Sequence, residues 1–213
     1  MKVTACLNPL HTCLAVFGCL LGYDRIWAEM EDDDLSALVH HLGYDEDLPV
    51  VVDPKVIDPQ TFIDELVGQR LVNKSLPDAP QRIATDTSQK VAIRYGHTLN
   101  SYLAAGKDVS GLTYIPLTIA GWLRYLTGID DEGKPFDCSP DPLLTELQGH
   151  VSGLKLGAAD AAAVHAAAEP ILSNKEIFTL DLYEAGLGGK IEGYLLEMLA
   201  APGAVRATIH KYL

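Results

Sequence analysis

An apolar stripe close to residue 1 restricts the fold more than any other feature of the chain. Leu10, Leu14, Phe17 and Leu21 recur at the spacing that gathers side chains on one face of an α-helix. Pro9 suits a first helical turn, where a backbone N–H has no partner to lose, and Asn8 before it is a candidate N-cap. The helix is predicted to run through Gly18 toward Gly22 and Tyr23. Ala15, Gly18 and Gly22 would let another backbone or a ligand come close. A core helix this near the start needs something packed before it, which implies a separated part of a larger protein. Residues 5–21 are too short and too interrupted by Asn8, Pro9, His11 and Thr12 for a membrane span. They also lack the small-residue cleavage pattern of a signal peptide, so a cytoplasmic protein is expected.

The rest of the chain reads the same way. A short helix around Ile26, Trp27 and Met30 should lead into an acidic loop at 31–34 and a helix at 35–42. Pro49, Pro54 and Pro59 punctuate an irregular crossing, and Asp58-Pro59 starts a helix reaching residue 72. Residues 81–90 are polar but helix-compatible. Residues 111–126 are strongly apolar, and 128–142 read as an irregular or hairpin-like loop. Further helical pieces fall at 143–151, 158–168 and 193–200. Strand candidates are confined to Val50-Val51-Val52 and Ile177-Phe178-Thr179-Leu180. The fold class is therefore mainly α with few short strands, in a single domain over residues 1–213.

Composition removes several functions. Sixteen Lys and Arg against 29 Asp and Glu leave a net charge of −13, the wrong sign for tracking nucleic acid or an anionic membrane. Cys6, Cys13, Cys19 and Cys138 form no C-x-x-C pair, so buried free thiols are expected rather than zinc or disulfides.

Two constellations are candidates for chemistry. Lys2, Asn8 and His11 cluster at the first helix start, where Asn8 and His11 are three apart and suited to face one cleft. Such groups can move a proton to or from a hydroxyl or carbonyl oxygen. Arg82, Asp86 and Lys90, spaced by four on a helix, would be a surface ion-pair ladder or a clamp for ligand oxygens. Residues 185–190 are rich in glycine, but Ile191 follows Lys190 and too little chain remains for a βαβ unit. A turn before the last helix is the reading there, not a nucleotide loop. His40-His41 lacks a ligand set, and the acidic run 130–133 reads as a solvated turn.

Taken together, Leu7-Asn8-Pro9-Leu10-His11-Thr12, the stretch 14–23, Arg82 to Lys90, Trp122-Leu123-Arg124-Tyr125-Leu126 and Asp130-Asp131-Glu132-Gly133-Lys134 resemble the C-terminal domain of the long-chain mannitol dehydrogenase family. That family includes polyol dehydrogenases and fructuronate and tagaturonate reductases. The resemblance implies a multi-helical domain like the C-terminal domain of 6-phosphogluconate dehydrogenase. It also implies metal-free hydride transfer between NAD or NADP and a polyol or sugar-acid carbon. Lys2, Asn8 and His11 would be the catalytic groups, and Arg82 and Lys90 the substrate-binding ones. Lys2 stands six residues before Asn8 where the family lysine stands five before, and Pro9-Leu10 replaces small residues. The implied Rossmann domain would be supplied in cis or trans, with no cofactor expected on this chain alone. A hexuronate reductase-like activity is preferred over mannitol oxidation. An apolar or glycine-rich docking face is expected near residues 8–18 and the adjoining helices, open to self-association. The alternative is a non-enzymatic helical assembly module, in which Lys2, Asn8 and His11 would not converge.

Overall fold

The computed structural model describes residues 7–51 and 58–213, so Lys2, Cys6 and Val52 lie outside the described residues. Among the described residues the chain is a bundle of helices. They are α1 (Asn8–Leu21), α2 (Ile26–Glu29), α3 (Asp33–His41), α4 (Pro59–Glu65), α5 (Pro80–Ile83), α6 (Thr87–Val91), α7 (His97–Ala104), α8 (Tyr114–Leu126), α9 (Leu144–Val151), α10 (Ala161–Leu172), α11 (Lys175–Phe178), α12 (Gly188–Met198) and α13 (Ala204–Tyr212). One-turn π-helical segments extend α3, α4 and α6, at Leu42–Asp47, Leu66–Arg70 and Ala92–Gly96. The only β pairing among the described residues is a bridge between Ile129 and Pro135. None of the described helices is long and apolar enough to cross a membrane.

α1 and α8 form the centre. Leu10, Leu14, Val16, Phe17 and Leu20 of α1 pack with Ile115, Ile119, Trp122 and Leu123 of α8 in one core. α12 lies along α8, and α5 lies along α1. A Cβ on Gly18 would stand 2.7 Å from Pro80 Cγ and also strike the Glu29 carboxyl, so glycine is what lets α2 and α5 close on α1. Gly22 ends α1 at φ 78°, a conformation glycine adopts without a Cβ penalty. α1 is thus covered by α2, α3, α5 and α8 of its own chain. This corrects the expectation of an exposed apolar face at 8–18; the exposed large hydrophobics among the described residues are Val72, Ile93, Leu103 and Leu213.

Several local expectations change for reasons of capping. Asn8 is the first residue inside α1 rather than its cap, and no side chain caps that helix. The acidic run at 31–34 is a helix start, because Asp32 accepts the Leu35 N–H at 3.0 Å and Asp33 and Asp34 sit in the favourable first turn of α3. Asp131 is buried rather than solvated, and its carboxylate accepts the Val205 N–H at 2.8 Å, holding the start of α13. Residues 177–180 form no strand: Asn174 accepts the Glu176 N–H at 2.8 Å, and Ile177 and Phe178 finish α11. The glycine-rich run makes the expected turn at 185–186 and then opens α12, which is not the last helix because α13 follows it. Glu46, from the turn after α3, takes the free N–H groups of Tyr114 and Ile115 at 2.9 and 2.7 Å and anchors α8. Cys13 and Cys19 are buried free thiols, and Cys138 is half-buried and free.

Candidate active site

Residues 81–90 do not make one helix. α5 stops at Ile83, and Asp86 turns the backbone to φ 54° before α6 begins. The turn is held from outside: the Asp86 N–H donates to the Pro140 carbonyl at 2.9 Å, and Ser88 donates to Asp141 through its N–H at 2.7 Å and its hydroxyl at 2.5 Å. Arg82 and Lys90 therefore leave the expected ladder, and Arg82 pairs with Asp78 instead of Asp86.

The break folds α5 and α6 around a cleft of about 280 Å³ against the first turn of α1. It is lined by Leu7 just before α1 and His11 within it, Arg70 at the end of the π-helical segment after α4, Asp78 just before α5, Arg82 and Ile83 of α5, and Lys90 and Arg94 beyond the break. His11, Arg82 and Lys90, singled out in the sequence, meet here. Asn8 is half-buried one helical turn from His11 and is not a lining residue. Arg70, Asp78 and Arg94 were not anticipated. Arg94 lies four residues after Lys90 and continues its spacing, a signal present in the sequence. Nothing local to Arg70 or Asp78 marks them, because they arrive through separate turns.

Each charge is placed by a definite contact. Asp78 is the most protected, its side chain 14% exposed against 40% for Arg70 and 65% for Arg82, and it accepts from both guanidinium groups, from Arg70 at 3.1 Å. Lys90 Nζ donates to the Thr85 and Ile83 carbonyls. Burial, then the neighbouring Arg94 charge, lowers the Lys90 pKa. Arg94 Nη1 donates to the Thr12 hydroxyl, which itself donates to the Asn8 carbonyl at 3.0 Å. Tyr95 donates to the Pro9 carbonyl at 2.9 Å, a second tie between this segment and the start of α1.

His11 is the exception to this pattern of satisfied groups. Its Nε2 is buried with no hydrogen-bond partner among the described residues. Burial pushes its pKa down to about 4; Asp78 opposes the shift, while Arg70, Arg94 and Arg82 add to it. At neutral pH the ring is uncharged, with one nitrogen able to donate and the other to accept. A buried polar atom without a partner is costly, so the position suits an oxygen brought by a ligand.

The described residues do not form a dinucleotide cradle around this cleft. In the glycine-rich run, residues 185–186 form a turn and 188–190 open α12, and Lys190 Nζ donates to the Ser110 and Leu112 carbonyls, at 2.5 and 2.8 Å.

Comparison with known proteins identifies what the arrangement is similar to. A family model described as the mannitol dehydrogenase C-terminal domain matches residues 1–197. D-mannonate oxidoreductase of Thermotoga maritima is 52% identical over 212 residues, covering 99% of this chain and 39% of that protein. D-mannonate oxidoreductase of Escherichia coli is 31% identical over 142 residues, covering 67% of this chain and 28% of that protein. The solved structure of Pseudomonas fluorescens mannitol 2-dehydrogenase, a ternary complex with NAD and D-mannitol, superposes with a TM-score of 0.82 at 25% identity. That match covers 99% of this chain and 39% of the solved one. The chain thus spans well under half the length of these relatives.

Proposed function

The chain belongs to the mannitol dehydrogenase C-terminal domain family, and on that premise we propose that it is the substrate-binding and catalytic half of an NAD(P)-dependent oxidoreductase. The reaction interconverts the hydroxyl of an aldonate or polyol with the carbonyl of a keto-uronate or ketose, in a cytoplasmic enzyme, with the sugar acid preferred. One observation carries that preference. In a chain of net charge −13, the cleft gathers Arg70, Arg82, Lys90 and Arg94 around a single lining carboxylate, Asp78. Such an excess of positive charge in a concave site attracts and orients an anion, whereas a neutral polyol needs no such field.

The dinucleotide belongs to a separate nucleotide-binding domain, which the longer relatives have room for. When bound, it supplies or accepts the hydride. The residues of this chain hold the substrate and manage its oxygen. The unpartnered Nε2 of His11 donates a hydrogen bond to the reacting oxygen, and the bond strengthens as negative charge grows there during carbonyl reduction. A neutral imidazole does this without first losing a proton. Asn8, one turn away and outside the lining of the cleft, is assigned to the same oxygen from its place in the Asn-x-x-His motif. Lys2 is the proposed proton donor and acceptor, assigned from its place before the Asn-x-x-His motif and lying outside the described residues. Arg82 and Lys90 hold the polyhydroxy chain.

The test is turnover by this chain joined to a nucleotide-binding domain and supplied with NAD(P)H or NAD(P). Fructuronate and tagaturonate reduction should exceed mannitol oxidation in kcat/KM. Equal or better use of mannitol sinks the preference for sugar acids. A protein that turns over none of them fits the alternative, a helical assembly module.

A further inference from the structure

We propose that Arg94 is the specificity-determining residue of the cleft, binding the carboxylate of a six-carbon sugar acid through the guanidinium edge that does not face Thr12. The inference rests on the reading above and goes beyond it by assigning the acid group to one residue that the sequence motifs do not include.

The four cations of the cleft are not equivalent. Arg70 and Arg82 share the Asp78 carboxylate, so each fork is already turned to an anion, and the single negative charge offsets one of their two positive ones. Lys90 gives two of its three ammonium N–H groups to the carbonyls of Ile83 and Thr85, which makes it a brace across the break between α5 and α6 with one donor left for a substrate hydroxyl. Arg94 has no carboxylate partner among the described residues, and the one hydrogen bond its guanidinium makes to them is from Nη1 to the Thr12 hydroxyl. A guanidinium carries five N–H donors in a planar fork, so most of its donors remain for a ligand, in the geometry that a carboxylate accepts in bidentate fashion.

The Thr12 contact also fixes where that fork stands. Thr12 is buried and follows His11 directly on α1, and its own proton is committed to the Asn8 carbonyl. The anchor for the acid and the residue that meets the reacting oxygen are therefore carried by consecutive residues of one rigid helix. A substrate held at both points has its reacting carbon set at a constant distance from its carboxylate. A second consequence concerns Lys90, whose charge lies near that of Arg94 and lowers its pKa after burial does. An anion on Arg94 relieves this repulsion, which a neutral ligand cannot do.

D-mannonate and D-mannitol differ at one end, carboxylate against hydroxymethyl, and make the test. Binding of each to the chain is measured by calorimetry for the parent, Arg94→Gln and Arg94→Lys, and kcat/KM for acid and neutral substrates is measured after joining a nucleotide-binding domain. Arg94→Gln should weaken mannonate by about 30-fold or more and leave mannitol within threefold. Arg94→Lys should restore part of the loss, since an ammonium keeps the charge without the fork. Equal losses for both ligands, no loss for either, or a parent that binds mannonate no better than mannitol would overturn the proposal. If Arg94→Gln fails to fold, Arg94→Lys decides: a drop of fivefold or more in the preference for the acid supports the assignment, and an unchanged preference ends it. Absence of NAD(P)-linked turnover in the parent counts against the enzyme reading alone, because the binding arm still reports on Arg94.

Discussion

Helix α8 and the segment 78–96 both bury charged side chains beside α1, yet they dispose of those charges in opposite ways. In α8, Arg124 is fully enclosed, and the protein itself takes up its donors: the Met198, Ile129 and Asp130 carbonyls and the Thr127 hydroxyl accept at 3.3, 2.5, 2.9 and 2.8 Å. Four of its five N–H donors are used, and the fifth, on Nη2, is enclosed with the rest of the side chain away from any ligand. In the 78–96 segment the helix is broken, the backbone turns through a positive φ at Asp86, and Arg94 and His11 keep hydrogen-bonding capacity that the described residues do not use. Saturated polar groups lock a fold, whereas unsaturated ones, held in place by neighbours, make a site.

The largest effect expected from this contrast is on stability. Arg124→Ala strips several buried acceptors of their donor at once and should destabilise the protein by about 4 kcal/mol, measured by urea unfolding. A loss below about 1 kcal/mol would erase the distinction between the two regions.

Acid should sharpen it next. His11 has a folded pKa near 4 against 6.5 for the free residue, so between those values the unfolded chain binds more protons than the folded one. Stability from this group is therefore lost as pH falls from about 6.5 to 4, by roughly 3 kcal/mol in all. Asp78, Arg70, Arg82 and Arg94 are the charges facing it. Glu29, raised by burial and then by Asp32, works in the opposite sense, since it holds its proton to higher pH in the fold than in the unfolded chain and costs stability as pH rises. The difference in thermal midpoint between the parent and His11→Gln, followed from pH 7 to pH 4, isolates the histidine. Parallel curves would remove it as the source.

His11→Ala, in the chain joined to its nucleotide domain, should cost kcat/KM on the order of 10²-fold, near 2.7 kcal/mol of transition-state stabilisation. Folding should change by less than about 1 kcal/mol. A histidine that merely packs gives the reverse, with 1–3 kcal/mol lost from stability and turnover kept within threefold. The smallest effect belongs to the turn. Asp141→Ala removes both acceptors of Ser88 and should cost about 1–2 kcal/mol in unfolding experiments, while raising KM more than it lowers kcat. An unchanged KM would show that the break between α5 and α6 does not depend on that contact.

The extent to which this could be read beforehand follows the same division. α1 and α8 were legible because their burial is nearly all-round or periodic, and local spacing alone reports it. Asp58 was legible as the cap of α4, where it accepts the Thr61 N–H at 2.9 Å. The Asn-x-x-His motif, Arg82 and Lys90 pointed to the cleft through a family resemblance and through residue type. Composition argued against nucleic acid as the main partner through the sign of the charge, which needs no fold.

Tertiary structure alone decided the rest. The break at Asp86 depends on Pro140 and Asp141, more than fifty residues away, and no local propensity encodes such a contact. The capping of α8 by Glu46 and of α13 by Asp131 likewise joins residues 69 and 74 positions apart. Arg70 and Asp78 enter the site for the same reason. A side chain's chemistry is written in its own position, but whether its donors and charge are used up depends on what the folded chain brings within hydrogen-bond reach.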